Sequence, residues 1–133
     1  MTSATLQRIL AAIFLILGTW CMLLPRMVEQ LTIRPEHQVL TPASSVFIAC
    51  FGAQAVLCGA IIWFSKFTPK TFLAFGLLGS IPFFVFNWYF YFVQPIFTEW
   101  MLLDLAGNVG ILLVGLIGYR MSKREHREHP LGV

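Results

Sequence analysis

The sequence predicts an all-α integral membrane protein: a four-helix bundle, up-down-up-down, with both termini cytoplasmic. Three observations predict it. The chain of 133 residues is 58% hydrophobic and only 11% charged, where a soluble domain carries about 25% charged residues. A soluble domain of this size has too much surface for its volume to hide that much apolar area, including 13 Phe. The apolar residues gather in four runs, each close to the about 20 residues that a spanning helix needs. The Lys and Arg residues sit at the ends of those runs, which is an orientation signal and not a nucleic-acid patch.

The first span covers residues 6–24 if Arg8 snorkels to the head groups. Ser3 is its expected cap, and Pro25 follows its end. The run has the shape of a signal peptide. However, Cys21-Met22-Leu23-Leu24-Pro25 offers no small-x-small cleavage site, and Trp20 spoils a lipoprotein box before Cys21. It reads as an uncleaved anchor. An outer loop, residues 25–42, comes next and holds Pro25, Pro35 and Pro42. Within it residues 27–33 are either a short helix lying on the head groups or plain loop.

The second span, residues 43–64, begins at Thr41-Pro42, a cap residue before a proline at the first helical position. One face carries Cys50, Gln54 and Cys58, and the roughly opposite face carries Ala49, Gly52, Val56 and Gly59. Either face can be the one that packs inside, and the other is then left for a cavity or a partner. The third span, residues 70–93, repeats the device at Thr68-Pro69 and ends before Pro95. Pro82 is expected to bend it. The fourth span, residues 99–119, is expected to start at Thr98 with Glu99 in its first turn. No proline follows until Pro130, so the helix is expected to continue as a cytoplasmic tail, residues 120–133, with an Arg124–Glu128 pair.

Orientation follows from the basic residues. Arg8, Lys66, Lys70, Arg120, Lys123, Arg124 and Arg127 share one side, against Arg26 and Arg34 on the other. The richer side is expected to be cytoplasmic, in a plasma membrane or bacterial inner membrane.

Polar groups inside the spans are the place to look for function. Thr19, Gln54, Asn87, Asp104 and Asn108 all count to the outer half of the bilayer at about 1.5 Å per residue. Asp104 and Asn108 are four apart and share a helix face with Gly107, Ile111, Gly115 and Gly118. Small and polar together, this face is expected to point at the other helices. An ionised carboxylate in hydrocarbon costs several kcal/mol unless it is paired. Asp104 is therefore either a proton carrier or ligand anchor, or a hydrogen-bond staple between helices. The aromatics around Asn87, Tyr91 among them, either wall a pocket for a flat apolar ligand or face lipid. The candidate ligand-binding residues are Gln54, Asn87, Tyr91, Asp104 and Asn108.

Other chemistries are set aside. No histidine lies in a span, which argues against haem with paired histidines. His126 and His129 in the tail are two ligands without a third. Cys21, Cys50 and Cys58 form no Cys-x-x-Cys pair, and no phosphate loop, nucleophile elbow or paired carboxylate appears. No metal, no catalytic residue and no nucleic-acid partner is expected.

The layout resembles the small DoxX-like four-helix membrane proteins. The features that carry the resemblance are Leu23-Leu24-Pro25 closing the first helix, Ala49-Cys50-Phe51-Gly52-Ala53-Gln54 in the second, and Asp104-Leu105-Ala106-Gly107-Asn108 in the last. The resemblance implies either quinone-coupled oxidation or assembly of larger membrane proteins, and it assigns no site residue. The sequence favours a non-catalytic accessory or assembly subunit, with other membrane subunits or copies of itself as partners. The alternatives are an outer-leaflet binder of a quinone or lipid, and an oligomeric proton-coupled transporter.

Overall fold

The computed structural model describes residues 2–128. Its helices are α1 (Ser3–Leu23), α2 (Pro25–Thr32), α3 (Pro42–Phe64), α4 (Pro69–Leu78), α5 (Ile81–Trp88) and α6 (Met101–Glu128). A 3-10 turn, Pro35–His37, lies between α2 and α3, and a π turn, Tyr89–Val93, extends α5. Four helical segments are long and apolar enough to cross a membrane: Ser3–Leu23, Pro42–Phe64, Pro69–Val93 and Met101–Arg127. The described residues hold no strand, only an isolated bridge between Ile33 and Phe97.

Local capping chemistry starts two helices as expected. Thr41 accepts from the Ser44 N–H at 3.2 Å while Ser44 Oγ accepts from the Thr41 N–H, a reciprocal capping box. Thr68 accepts from the Thr71 N–H. Two other expected caps are corrected. Thr2, not Ser3, caps α1 by accepting from the Thr5 N–H. Ser3 instead donates its N–H and hydroxyl to Glu125, far along the chain. Thr98 donates its hydroxyl to the Leu31 carbonyl, and α6 begins only at Met101. The expected Arg124–Glu128 and His126–His129 pairs each need a side chain outside the described residues.

The third span is broken where a bend was expected. Pro82 lacks an N–H and its ring crowds the carbonyl four residues back, so the ladder ends at Leu78. A turn at Gly79 and Ser80 follows, and Ser80, fully buried, returns its hydroxyl to the Gly76 carbonyl.

Two close antiparallel pairs build the bundle. In α1–α3 a Cβ placed on Gly18 would lie 2.7 Å from the Val56 nitrogen, so only glycine permits this approach. Gly52 and Gly59 are buried in the same seam, which puts the small face of α3 inside and leaves Cys50 and Gln54 exposed. In α4–α6 a Cβ on Gly76 would lie 2.9 Å from the Gly115 Cα, and Phe72 lies over Gly118. The small face of α6 thus points at its neighbours, as its composition predicts. The pairs join along α1 and α6, through a core of Leu10, Ala11, Ile62 and Ile111 backed by Phe14, Phe67 and Phe75.

The two ends of the bundle are closed differently. At one end Gln7, 8% exposed, donates to the Ile62 carbonyl and to the Ser65 carbonyl at 2.6 Å, and accepts from the Phe67 N–H at 3.2 Å. It thereby satisfies carbonyls that the C-terminus of α3 leaves open. Arg8 lies over the Trp63 ring at 5.8 Å nearby, its charge at the helix end as snorkelling requires. At the opposite end α2 forms a roof. Glu29, 1% exposed, accepts from the N–H groups of Val39 and Leu40 and from Ser44 Oγ, tying α2 to the start of α3. Leu40 has φ 49, a left-handed backbone that costs a bulky residue about 1–2 kcal/mol. The bond to Glu29 helps to hold it. The Leu40 N–H, then Ser44 and Val39, keep the Glu29 carboxyl below the usual carboxylate range, against burial, which pushes it up.

Candidate functional site: an apolar cavity with one polar wall

Beneath the roof, α1, α3, α5 and α6 enclose a cavity of about 560 Å³. Its walls are almost wholly apolar, with Trp20 from α1, Phe51 from α3, Phe83 and Phe90 from the α5 region, and Phe97 and Trp100 from the loop before α6. Val28, Thr32 and Ile33 close it from above. The roof is sewn to that loop as well: the Arg34 N–H donates to the Ile96 carbonyl at 2.9 Å, Arg34 Nε to the Phe97 carbonyl at 3.0 Å, and the Thr98 N–H to the Thr32 carbonyl at 2.9 Å.

The polar wall is a three-residue cluster. Asp104 Oδ2 accepts from Asn87 Nδ2 at 2.9 Å and from Asn108 Nδ2 at 2.8 Å. Asn87 also donates to the Phe83 carbonyl at 3.0 Å, so both of its amide hydrogens are used. Asn87 and Asn108 are 7% and 4% exposed, and Asp104 is half-buried. The helices explain the meeting. Asp104 and Asn108 are one turn apart on α6, and α5 crosses α6 with Asn87 facing it. Asp104 lies in the first turn of α6, where the helix dipole favours negative charge.

Of the five residues singled out in the sequence, Asn87, Asp104 and Asn108 come together in this cavity. Gln54 is exposed and lines a second, more open cavity of about 720 Å³ between α3 and α4, with Cys58, Lys70 and Phe75. Tyr91 lies in the π turn with its ring edge-on to Phe92, 5.0 Å between centroids, away from the three-residue cluster. Thr19 is exposed. The roof residues Val28 and Thr32 were not singled out. Their i,i+4 spacing in the segment between the first two spans was the available signal, since it gives a short helix one face to lay over the bundle.

The side toward α3 and α5 is the least closed. Phe47 and Phe51 of α3 and Phe86 of α5 line the cavity yet are 75%, 55% and 52% exposed. α3 is packed on α1 and α2, whereas α5 is packed on α4, α6 and its own π turn. The cavity therefore has a lateral mouth between these two helices. Among the described residues no group of three or more His, Cys, Asp or Glu stands close enough to hold a metal ion. Comparison with protein-family models, curated proteins and solved structures found no match to this chain.

Proposed function

We propose that this chain is an integral membrane protein that binds a small amphiphilic molecule in the outer-leaflet half of its bundle, with both termini cytoplasmic. The observation that carries the reading is the apolar cavity with its single polar wall of Asn87, Asp104 and Asn108. Its volume falls in the range of about 300–1,000 Å³ usual for ligand sites, and a few converging polar groups in an apolar pocket fix a ligand's orientation. The lateral mouth supports loading from lipid. The bonds from Ser3 to Glu125 keep the start of α1 beside the end of α6, which fits two termini on one side. The excess of Lys and Arg there supports the cytoplasm as that side.

Native mass spectrometry of the protein released from lipid nanodiscs tests the reading. A bound small molecule is expected on the parent chain and is expected to be lost in Asn87→Leu and Asp104→Leu. A parent chain carrying no small molecule, before or after incubation with total membrane lipid, refutes it.

The second reading is an accessory or assembly subunit of a larger membrane complex, or a homo-oligomer, for which the DoxX-like layout offers precedent. It is favoured by the outward face of α3, where Phe47, Gln54, Leu57 and Ile61 are exposed beside the open second cavity. Purification in mild detergent as a species of this chain alone, with the mass of one copy, counts against it. The transporter reading ranks below both, because coupling groups sit near the membrane midplane and Asp104 is in the first turn of its helix.

A further inference from the structure

The polar wall has more free hydrogen-bond acceptors than donors. A carboxylate only accepts, so Asn87 and Asn108 must turn their NH2 groups toward Asp104. That fixes where the other atoms go. Asp104 Oδ1 and the amide oxygens of Asn87 and Asn108 accept no hydrogen bond from any described residue. None of the three is a buried orphan cut off from open space. The cluster thus offers three free acceptors against one free donor, the second N–H of Asn108, and Asn87 has no donor left to offer.

The charge is one-sided too. The cavity lining contains Asp104 and no Lys, Arg or His. Two neutral amides hydrogen-bond the carboxylate and the dipole of α6 favours it, without balancing its charge. Around it the lining includes aromatic rings from α1, α3, the α5 region and the loop before α6, among them Trp20, Phe51, Phe83, Phe90, Phe97 and Trp100. The faces of such rings attract cations, more strongly where water is excluded.

We infer that the occupant is a lipophilic cation: an amine whose ammonium N–H groups meet Asp104 and the two amide oxygens, and whose apolar body lies against the aromatic walls. This rests on the cavity being a ligand site and names the chemistry of its ligand. A head group with only acceptors, such as a ketone, finds one N–H among three acceptors, and a carboxylate meets a like charge besides. A hydroxyl satisfies the hydrogen bonds and leaves the charge unbalanced. An ammonium does both.

Three molecules with the same twelve-carbon tail separate these heads: dodecylamine, dodecanol and dodecanoate. Binding is read by tryptophan fluorescence in zwitterionic nanodiscs, with empty nanodiscs subtracted. Dodecylamine is expected to bind at least about tenfold more tightly than dodecanol, equivalent to about 1.4 kcal/mol, and dodecanoate more weakly than either. Asp104→Asn keeps the side-chain shape and removes the charge. It is expected to abolish the preference for the amine while dodecanol binding persists, which also reports an intact cavity. Amine and alcohol bound equally by the parent chain would overturn the cation inference and leave the amphiphile site standing. That comparison needs no variant. No binding of any of the three would overturn both.

Discussion

Gln7→Leu is the perturbation whose cost the structure fixes most directly. The side chain is buried and makes three hydrogen bonds, two donated to the carbonyls of Ile62 and Ser65 and one accepted from the Phe67 N–H. Leucine matches the volume and makes none of them. A typical intramolecular hydrogen bond contributes about 1 kcal/mol net, and a buried group left unpaired costs about 1–3 kcal/mol. The site is buried only in part, so the sum is about 2–4 kcal/mol. Gln7→Glu separates the mechanism from simple loss of packing. It keeps an acceptor for Phe67 and sets a carboxylate against two carbonyls, so it is expected to cost at least as much as leucine. The assay is equilibrium unfolding by dodecyl sulfate in mixed micelles, followed by circular dichroism. Both variants lying within about 0.5 kcal/mol of the parent would refute the assignment of Gln7 as the clasp between α1 and the end of α3.

Two further predictions concern the seam and the roof. Gly76→Ala puts a methyl against the Gly115 backbone and is expected to cost about 1–3 kcal/mol as overpacking. Gly110→Ala, whose Cβ would meet only Ile13 at 4.0 Å, is expected to be neutral or up to about 1 kcal/mol stabilising in the same unfolding assay. Glu29 has a folded-state pKa below its unfolded value, so its stabilisation is complete above the unfolded pKa and is lost as pH falls through the folded one. The stability of the parent in the same unfolding assay should therefore fall as pH drops from about 6 to about 3. Glu29→Gln should start less stable and lose less over that range, and a parent that falls no more than Glu29→Gln would be the contrary result.

What was legible in the sequence was what short-range chemistry decides. Thr41 and Thr68 cap their helices because the donor and acceptor are three residues apart. Asp104 and Asn108 share a face because they are one helical turn apart. Asn87 was found as a polar atom at a similar depth, although nothing local says that α5 turns it toward Asp104. What was not legible depends on partners far along the chain. Gln7 acts through residues 55 to 60 positions away, and Ser3 through Glu125 at 122. Their types allow local capping equally well, so the tertiary contact decides. Thr98 is the same case, drawn from a capping role to the Leu31 carbonyl of the roof. The two faces of α3 were indistinguishable by composition, and the glycine of α1 that fits against Gly52 settles which one is inside. The break at Leu78 exceeded the expected bend because Gly79 and Ser80 supply a turn just where Pro82 interrupts the ladder.

On the proposed reading, the lateral mouth between α3 and α5, with a roof sewn shut above it, changes what an affinity would mean for this protein. An amphiphile that arrives through the mouth is drawn from the lipid phase, where it is already concentrated by its own partitioning. Occupancy then follows the mole fraction of ligand in the bilayer and not its concentration in water. Doubling the lipid at fixed total ligand would halve the occupancy of a weakly filled site without any change in the protein. Two tails of different length would show different aqueous dissociation constants and a common one once each is expressed per lipid.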